Sequence, residues 1–309
     1  MTPGRRTGAL VAILALCVAG PTIHAAADSS YAREDPFVVR SFDESTGSRA
    51  LGDGIAYGPH RDGQRPGGPS PSKADVLEDL RLIARRWNLI RLYGSVGPAE
   101  SILVVIRAER LPLRVMLGVW VAPEESRDST GRVVATFPDA RAANRAEIEA
   151  GVRLARDYPE IVAALCAGNE TQVFWSAHRV PEPLLVAALR ELRARSEKPV
   201  TTGDDYLYWK TPGSASVAAE VDFIVSHFHP LWAGQLPDSA LGWTRRAVAE
   251  VRARHPERRV VIGETGWATA KLSTGEQGTL MKGTVGEREQ AAYGTALAAW
   301  ANEERTLTF

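Results

Sequence analysis

Short apolar runs alternate with longer segments of helical spacing along most of the chain. Seven of these runs are largely apolar over their whole length, as is typical of strands that are buried on both faces. The predicted strands are Gly54–Gly58, Leu89–Tyr93, Leu113–Val121, Ile161–Ala167, Val200–Thr202, Phe223–His227 and Val260–Gly263. Because helical segments separate these strands, we expect a parallel sheet with helices on its outside.

The segments between the predicted strands show the patterns of amphipathic helices. Ser72 and Asp75 form a capping-box pattern, in which a serine at the helix start is followed three residues later by a carboxylate. Three sets of apolar residues mark helices: Val76, Leu80 and Ile83; Leu185, Leu189 and Leu192; and Ala292, Ala296 and Ala299 beside Trp300. Strand and helix therefore alternate as they do in α/β proteins.

This alternation predicts an α/β fold of the (β/α)8 TIM-barrel type. The last four residues, Thr306–Phe309, read as the start of an eighth strand, so they either close the barrel or leave that strand truncated. A doubly wound open sheet is the competing architecture. No phosphate-binding glycine motif follows the first predicted strand, which disfavours the nucleotide-binding version of that sheet.

The first residues are typical of a secretory signal peptide. Arg5 and Arg6 precede an apolar run, and three alanines follow at positions 25–27. The apolar run is shorter than the roughly 20 residues that span a bilayer. We expect residues 1–27 to be removed, which leaves one barrel domain over residues 28–309 in a secreted or periplasmic location. An uncleaved membrane anchor is the alternative.

The charge of the chain narrows the range of partners. Lysine and arginine total 37, aspartate and glutamate also total 37, and the formal net charge is zero. No basic excess points to nucleic acid or to an anionic membrane as a partner. A neutral polymer fits this balance, and the sequence indicates no cofactor.

Carboxylates follow two of the predicted strands, at the end of a barrel where active sites lie. The fourth strand runs into Asn169 and Glu170, and the seventh runs into Glu264. Two carboxyl groups on opposite sides of a glycosidic bond are the machinery of glycoside hydrolases. Since the fourth and seventh strands lie across the barrel mouth from each other, we expect Glu170 and Glu264 to face one cleft.

Five short motifs occur in the order found in a known family. They are Gly-Ile-Ala-Tyr-Gly-Pro at 54–59, Arg-Leu-Tyr-Gly at 91–94, Gly-Asn-Glu at 168–170, His-Pro at 229–230 and Gly-Glu-Thr-Gly-Trp at 263–267. With them the chain resembles glycoside hydrolase family 17, the β-1,3-glucanase family, and within it the bacterial exported branch that includes β-1,3-glucanosyltransferases. The resemblance implies a retaining mechanism on β-1,3-glucan, with Glu170 as acid/base, Glu264 as nucleophile and Asn169 bound to the sugar 2-hydroxyl.

Further residues near the strand ends are candidates for substrate binding. We expect Tyr57, Arg91 and Tyr93 at the inner subsite, Asp205 and Tyr206 on sugar hydroxyls, His229 beside Glu264 or substrate, Trp232 and Trp267 as stacking platforms, and Trp209 at an outer subsite. Loops at 60–72, 122–139 and 268–286 would build the cleft. Core packing is the alternative role for each tryptophan and for His229.

Two other functions remain open from the sequence. His227 and His229 lie two residues apart on one strand face, and with Asp204 or Asp205 they could hold zinc in a metal-dependent hydrolase. The second alternative is a glucan-binding barrel with weak or no catalysis. Hydrolysis and transglycosylation share one glycosyl-enzyme intermediate, so the sequence does not separate them.

Overall fold

The computed structural model describes residues 31–42, 54–128 and 130–309. The expected signal peptide at residues 1–27, with its cleavage region, lies outside the described residues. Within the described part of the chain, no helix is both long enough and apolar enough to cross a membrane.

Seven parallel strands form one sheet, in which each strand pairs with the next one along the chain. These strands are β1 Gly54–Ala56, β2 Leu89–Arg91, β3 Arg114–Val119, β6 Val162–Asn169, β7 Val200–Asp205, β8 Ile224–His227 and β9 Val260–Glu264. All seven predicted strands are confirmed. Three of them extend further than the apolar pattern indicates, and their last residues are Asn169, Asp205 and Glu264.

The last residues of the chain lie between the two ends of this sheet. The Gly54 N–H donates to Thr308 O at 2.6 Å on one side. On the other side the Ile262 N–H donates to Leu307 O at 3.0 Å, and the Phe309 N–H donates to Ile262 O at 2.9 Å. Residues 306–309 therefore join β9 to β1, and the barrel expected from the sequence is confirmed.

Helices cover the outside of the barrel. They are α1 Lys73–Ile83, α2 Ala99–Ala108, α3 Pro138–Asp157, α4 Glu182–Arg195, α5 Tyr206–Trp209, α6 Ala215–Ala218, α7 Pro237–Arg254, α8 Gly275–Leu280 and α9 Glu287–Glu303, with a 3-10 turn at Pro212–Ser214. The capping box of Ser72 and Asp75 is confirmed at the start of α1. The last helix is also confirmed, although Tyr293, Leu297 and Trp300 form its buried face.

The loop after β3 contains structure that the sequence did not indicate. An antiparallel hairpin, β4 Glu125–Arg127 with β5 Val133–Thr136, lies between β3 and α3. It was missed because its residues are largely exposed and carry no strict alternation of apolar and polar positions.

The described part of the N-terminal segment, residues 31–42, packs across the end of the barrel at which the strands begin. Phe42 stacks on Phe223 with ring centroids 4.6 Å apart, and both belong to the inner core of the barrel. The Arg40 side chain donates to Lys198 O at 3.2 Å and to Arg193 O at 3.0 Å. Arg193 is itself buried and pairs with Asp222 at 2.6 Å. This segment therefore holds the amino ends of β7 and β8 together.

Candidate active site

Glu264 ends β9, and one of its carboxylate oxygens is held by two donors. Arg91 Nη1 donates to Glu264 Oε1 at 2.6 Å, and the Tyr93 hydroxyl donates to the same oxygen at 2.9 Å. Arg91 and Tyr93 both point into the barrel because alternate residues of a strand share a face. Arg91 is only 1% exposed, so its charge is buried against Glu264. The second oxygen, Oε2, lies 3.6 Å from His229 Nε2.

Glu170 follows β6 in a tight turn of left-handed backbone. Gly168 has φ 67° and Glu170 has φ 51°, a region that glycine adopts freely and other residues rarely adopt. The Glu170 N–H donates to Gly203 O at 2.8 Å, which ties the turn to β7. Such strained conformations are concentrated at functional sites. The turn directs the Glu170 side chain toward the barrel mouth, where it meets His227.

Asn169 connects the two glutamates through Arg91. Arg91 Nη2 donates to Asn169 Oδ1 at 2.7 Å, while Nη1 of the same guanidinium binds Glu264. Because Oδ1 accepts this bond, the amide nitrogen of Asn169 is left as a donor. The planar guanidinium therefore fixes the ends of β6 and β9 relative to each other.

His227 lies between the two glutamates and is fully buried. Its Nδ1 lies 3.1 Å from Glu170 Oε1, and its Nε2 lies 3.7 Å from Glu264 Oε1. Glycines make room for this ring: a Cβ at Gly203 would lie 3.1 Å from His227 Nε2, and one at Gly263 would lie 3.0 Å from its Cδ2. One imidazole thus hydrogen-bonds to Glu170 and lies beside Glu264.

The charges around Glu264 keep its carboxyl group ionised. Burial would raise the pKa of Glu264, but the imidazoles of His227 and His229 and the Arg91 guanidinium hold that pKa well below its usual range. Burial raises the pKa of the Tyr93 hydroxyl far above its usual value, and the Glu264 charge adds to this rise. Near neutral pH the site therefore contains an ionised Glu264 and a neutral tyrosine that donates to it.

The two histidines have different protonation tendencies. Burial lowers the pKa of His227, although the charges of Glu264 and Glu170 oppose this. Burial acts in the same direction on His229, but the carboxylates of Glu264, Glu170 and Asp205 outweigh it and raise its pKa. His227 is therefore the more readily neutral of the two.

Asp204 anchors the loop that follows Glu170. Its carboxylate accepts backbone N–H bonds from Gln172 at 2.7 Å, from Val173 at 3.1 Å and from Asp205 at 2.9 Å. Burial raises the pKa of Asp204 to about 7 despite these donors. Its neighbour Asp205 caps α5 by accepting from the Leu207 N–H at 2.8 Å, and burial raises the pKa of Asp205 to about 6.

A half-buried carboxylate on α3 anchors the loops on the other side of the barrel mouth. Glu147 accepts N–H bonds from Ser95 at 2.6 Å, Val96 at 3.2 Å and Trp120 at 3.1 Å. These donors follow β2 and β3, so one helix residue fixes both loops. Sequence reasoning missed Glu147 because its partners are far away along the chain.

The structure brings together some of the sequence-predicted residues and not others. Arg91, Tyr93, Asn169 and His229 surround the glutamates as described. Tyr57 points outward, and its hydroxyl donates to Asp79 of α1 at 2.9 Å. Its side chain therefore lies on the helix side of β1.

Of the aromatic residues expected to bind substrate, some are buried in the core and others are exposed. Trp267 is 4% exposed and donates to Thr284 O at 2.8 Å, and Trp209 is fully buried and donates to Val225 O at 3.0 Å. The expected outer-subsite role of Trp209 is wrong, because an indole with no exposed surface cannot stack on a sugar. The Tyr206 ring is half buried against Trp243 of α7. Trp232 is 40% exposed and remains free to stack.

Two residues that sequence reasoning did not select are also exposed aromatics. Phe174 is 73% exposed and Trp175 is 49% exposed, and both lie in the loop that Asp204 anchors after Glu170. Their position shortly after the Gly-Asn-Glu motif was the available signal. His227 was considered only as a metal ligand, although its place two residues before His229 on one strand face indicated a shared site.

Metal-ligating groups in the described part of the chain cluster at the same place. Glu170, His227 and His229 each offer one ligand atom, and these three atoms lie within 4.8 Å of one another. Asp204, considered from the sequence as a partner of the histidines, directs its carboxylate to backbone N–H groups instead.

Two carboxylates near each other at the strand ends of a parallel barrel are typical of the barrel glycoside hydrolases. Comparison with known families identifies the family within that class. Residues 54–309 match the family described as the BtgE/BtgC glycoside hydrolase domain, and the chain belongs to this family. The resemblance to the β-1,3-glucanase family noted in the sequence is thereby confirmed.

Curated relatives include fungal glucanases. The chain is 24% identical over 210 residues to the probable glucan endo-1,3-beta-glucosidase btgC of Aspergillus clavatus, covering 64% of this chain and 27% of that protein. It is 23% identical over 216 residues to the glucan 1,3-beta-glucosidase of Arthroderma benhamiae, covering 67% of this chain and 63% of that protein. The chain thus spans about a quarter of the first relative.

Solved structures share the fold. An endo-laminarinase from Formosa Hel1_33_131 superposes with a TM-score of 0.68 at 21% identity, covering 83% of this chain and 76% of that one. The glycoside hydrolase family 17 β-1,3-glucanosyltransferase from Rhizomucor miehei superposes with a TM-score of 0.63 at 21% identity, covering 82% and 84%.

Proposed function

We propose that this chain cleaves or transfers β-1,3-glucan through a covalent glycosyl-enzyme, with Glu264 as nucleophile and Glu170 as acid/base. The observation that carries the proposal is the asymmetry of Glu264. Its Oε1 is occupied by Arg91 and Tyr93, whereas its Oε2 lies on the side of the partly exposed His229. Family membership and relatives described as glucan 1,3-beta-glucosidases support the choice of substrate.

The contacts suggest how the first step proceeds. Oε2 of the ionised Glu264 attacks the anomeric carbon while Arg91 and Tyr93 hold Oε1 in place. Glu170 gives its proton to the departing glycosidic oxygen, so the aglycone leaves as an alcohol and the sugar remains as an ester of Glu264. The free amide N–H of Asn169 is the donor for the sugar 2-hydroxyl. Retention of configuration follows from two such displacements.

In the second step the oxygen of the incoming hydroxyl group attacks the anomeric carbon while Glu170 accepts its proton, and the ester bond breaks to release Glu264 as a carboxylate. Water as acceptor gives hydrolysis, and a sugar hydroxyl gives transglycosylation. The exposed rings of Phe174, Trp175 and Trp232 are surfaces on which an acceptor or donor sugar would stack. We further propose that residues 28–309 form one domain that works in a secreted or periplasmic location, where a glucan polymer is accessible.

Product analysis tests this function. The purified chain and Glu264→Gln are incubated in parallel with linear β-1,3-gluco-oligosaccharides, and the products are sized. Products longer than the substrate, absent with the variant, establish a transglycosylase. Only shorter products establish a glucanase. Binding of the oligosaccharide without any turnover by the wild-type chain would replace the proposal with a glucan-binding barrel.

A further inference from the structure

The two histidines and the catalytic glutamates form a constellation that the sugar chemistry does not fully use. Glu170, His227 and His229 each offer a ligand atom within 4.8 Å of the others. The carboxylate of Glu264 adds a fourth, since its Oε2 lies 3.6 Å from His229 Nε2. A mixed set of imidazole and carboxylate ligands is the set that Zn²⁺ and Cu²⁺ prefer in proteins.

The separations suit a small tetrahedral ion. With metal–ligand bonds of about 2.0–2.1 Å, neighbouring ligand atoms of a tetrahedral zinc site lie about 3.3 Å apart. The pair His227 Nδ1 and Glu170 Oε1 is 3.1 Å apart, and the pair His229 Nε2 and Glu264 Oε2 is 3.6 Å apart. Rotation of His229, whose side chain is 29% exposed, can shorten the remaining distances.

A second observation concerns the buried imidazole itself. His227 is fully buried, and its Nε2 has no hydrogen-bond partner among the residues that the structure describes. A buried polar nitrogen without a partner is costly, and a cation that binds this nitrogen would remove that cost. The site is therefore open to a ligand that brings positive charge between the two glutamates.

We propose that a divalent transition-metal ion of the Zn²⁺ or Cu²⁺ type binds between Glu170, His227 and His229 and inhibits the enzyme. With Glu264 as its fourth ligand, the ion occupies both carboxylates, so neither can act on a sugar. Metal and glucan therefore exclude each other, and the metal is an inhibitor, not a cofactor. The inhibition rests on the function proposed above, whereas metal binding itself rests on the ligand geometry alone.

Calorimetric titration of the untagged full chain with Zn²⁺, Cu²⁺ and Mg²⁺ tests the binding. One Zn²⁺ per chain is expected, with Cu²⁺ binding more tightly and Mg²⁺ not binding measurably, because hard cations prefer oxygen ligands. His229→Ala should weaken Zn²⁺ binding at least tenfold, as should His227→Gln. His178→Ala is the matched control, because this exposed histidine packs on Trp120, outside the cluster, and the Zn²⁺ affinity should not change.

Steady-state kinetics of the wild-type chain complete the test. Zn²⁺ should raise the apparent KM for a β-1,3-gluco-oligosaccharide without changing kcat, and a chelator should restore the original KM. No Zn²⁺ binding, or binding that His229→Ala leaves intact, overturns the proposed site. Zn²⁺ binding that leaves turnover unchanged overturns the inhibition. Specific Zn²⁺ binding in a chain without glucan turnover supports the site and overturns the proposed function instead.

Discussion

Arg91 Nη1 lies 2.6 Å from Glu264 Oε1, in a pair whose arginine is 1% exposed. The same guanidinium binds Asn169, so one buried side chain sets the positions of both residues. A buried charge pair of this kind is sensitive to the removal of either partner, because the other is left uncompensated. Arg91 thus positions the proposed nucleophile and the proposed 2-hydroxyl ligand together.

Arg91→Lys should lower kcat by about 10- to 100-fold, since hydrogen bonds to charged groups contribute about 1.5–3 kcal/mol each. A lysine keeps the charge but cannot bind Glu264 and Asn169 with one planar group. The matched control is Arg81→Lys, at a surface pair with Glu109. Oligosaccharide kinetics on folded variants give the measurement, and equal kcat values for Arg91→Lys and the wild type would contradict the positioning role.

The two glutamates should respond differently to the leaving group. Glu170→Gln should lose about 10²- to 10⁴-fold in kcat on oligosaccharides, because a general acid is missing. It should keep most of its glycosylation rate on an aryl β-glucoside whose phenolate departs without protonation. Glu264→Gln should be inactive on both substrates, because the nucleophile is missing. If both variants retain aryl-glycoside cleavage, Glu264 is not the nucleophile.

Gly203→Ala should reduce activity while the chain remains folded. A Cβ at this position would lie 2.7 Å from Arg91 Nη2 and 3.1 Å from His227 Nε2, so both side chains must move. Gly294→Ala is the control, because a Cβ there meets no atom of the described residues within 4 Å. In the middle of α9 this alanine should stabilise the protein by about 0.5–1 kcal/mol. Oligosaccharide kinetics and thermal unfolding are measured on both variants. Unchanged kinetics in Gly203→Ala would show that activity does not depend on the present positions of Arg91 and His227.

Asp204 should make stability depend on pH. Burial raises its pKa from 3.8 to about 7, so the folded chain holds one more proton than the unfolded chain between these values. Stability contributed by this group is therefore greatest near pH 4 and is lost as the pH rises toward 7. Relative to Asp204→Asn, the free energy of unfolding of the wild type should fall by up to about 4 kcal/mol over this range. Denaturant unfolding of both proteins at several pH values measures it, and a difference that does not vary with pH would refute the shift.

Phe42→Ala should lower stability without affecting turnover. Phe42 is 7% exposed and stacks on Phe223 at the end of the barrel away from the glutamates. Truncation of a buried phenylalanine costs about 3–5 kcal/mol. Thermal unfolding and oligosaccharide kinetics at a temperature well below the transition test both statements, and a loss of kcat there would mean that the segment also supports the site.

The barrel and its two glutamates were predictable because each rests on local signals. Apolar runs mark the seven strands, and Glu170 and Glu264 follow two of them in glycine-rich motifs. The orientation of Tyr57 was not predictable in this way, because it follows from a distant contact: the Cβ position of Gly54 lies against Phe309 inside the barrel, so alternation along β1 turns Tyr57 outward.

Other features of the site depend on contacts between distant parts of the chain. Trp209 and Trp267 are buried, and their indole N–H groups donate to Val225 O and Thr284 O. No local sequence pattern marks either of these partners. Glu147 reaches loops after two different strands for the same reason. Such residues can be assigned only when the strands are placed in three dimensions.

The segment at residues 31–42 contributes to stability at a place remote from the residues of the reaction. Arg40, Phe42 and the buried pair of Arg193 with Asp222 close the end of the barrel that lies opposite Glu170 and Glu264. Substitutions there act on the unfolding equilibrium, whereas substitutions at the mouth act on the reaction. Resistance to heat and choice of substrate can therefore be altered independently in this protein, by natural variation or by engineering, with each confined to its own end of the barrel.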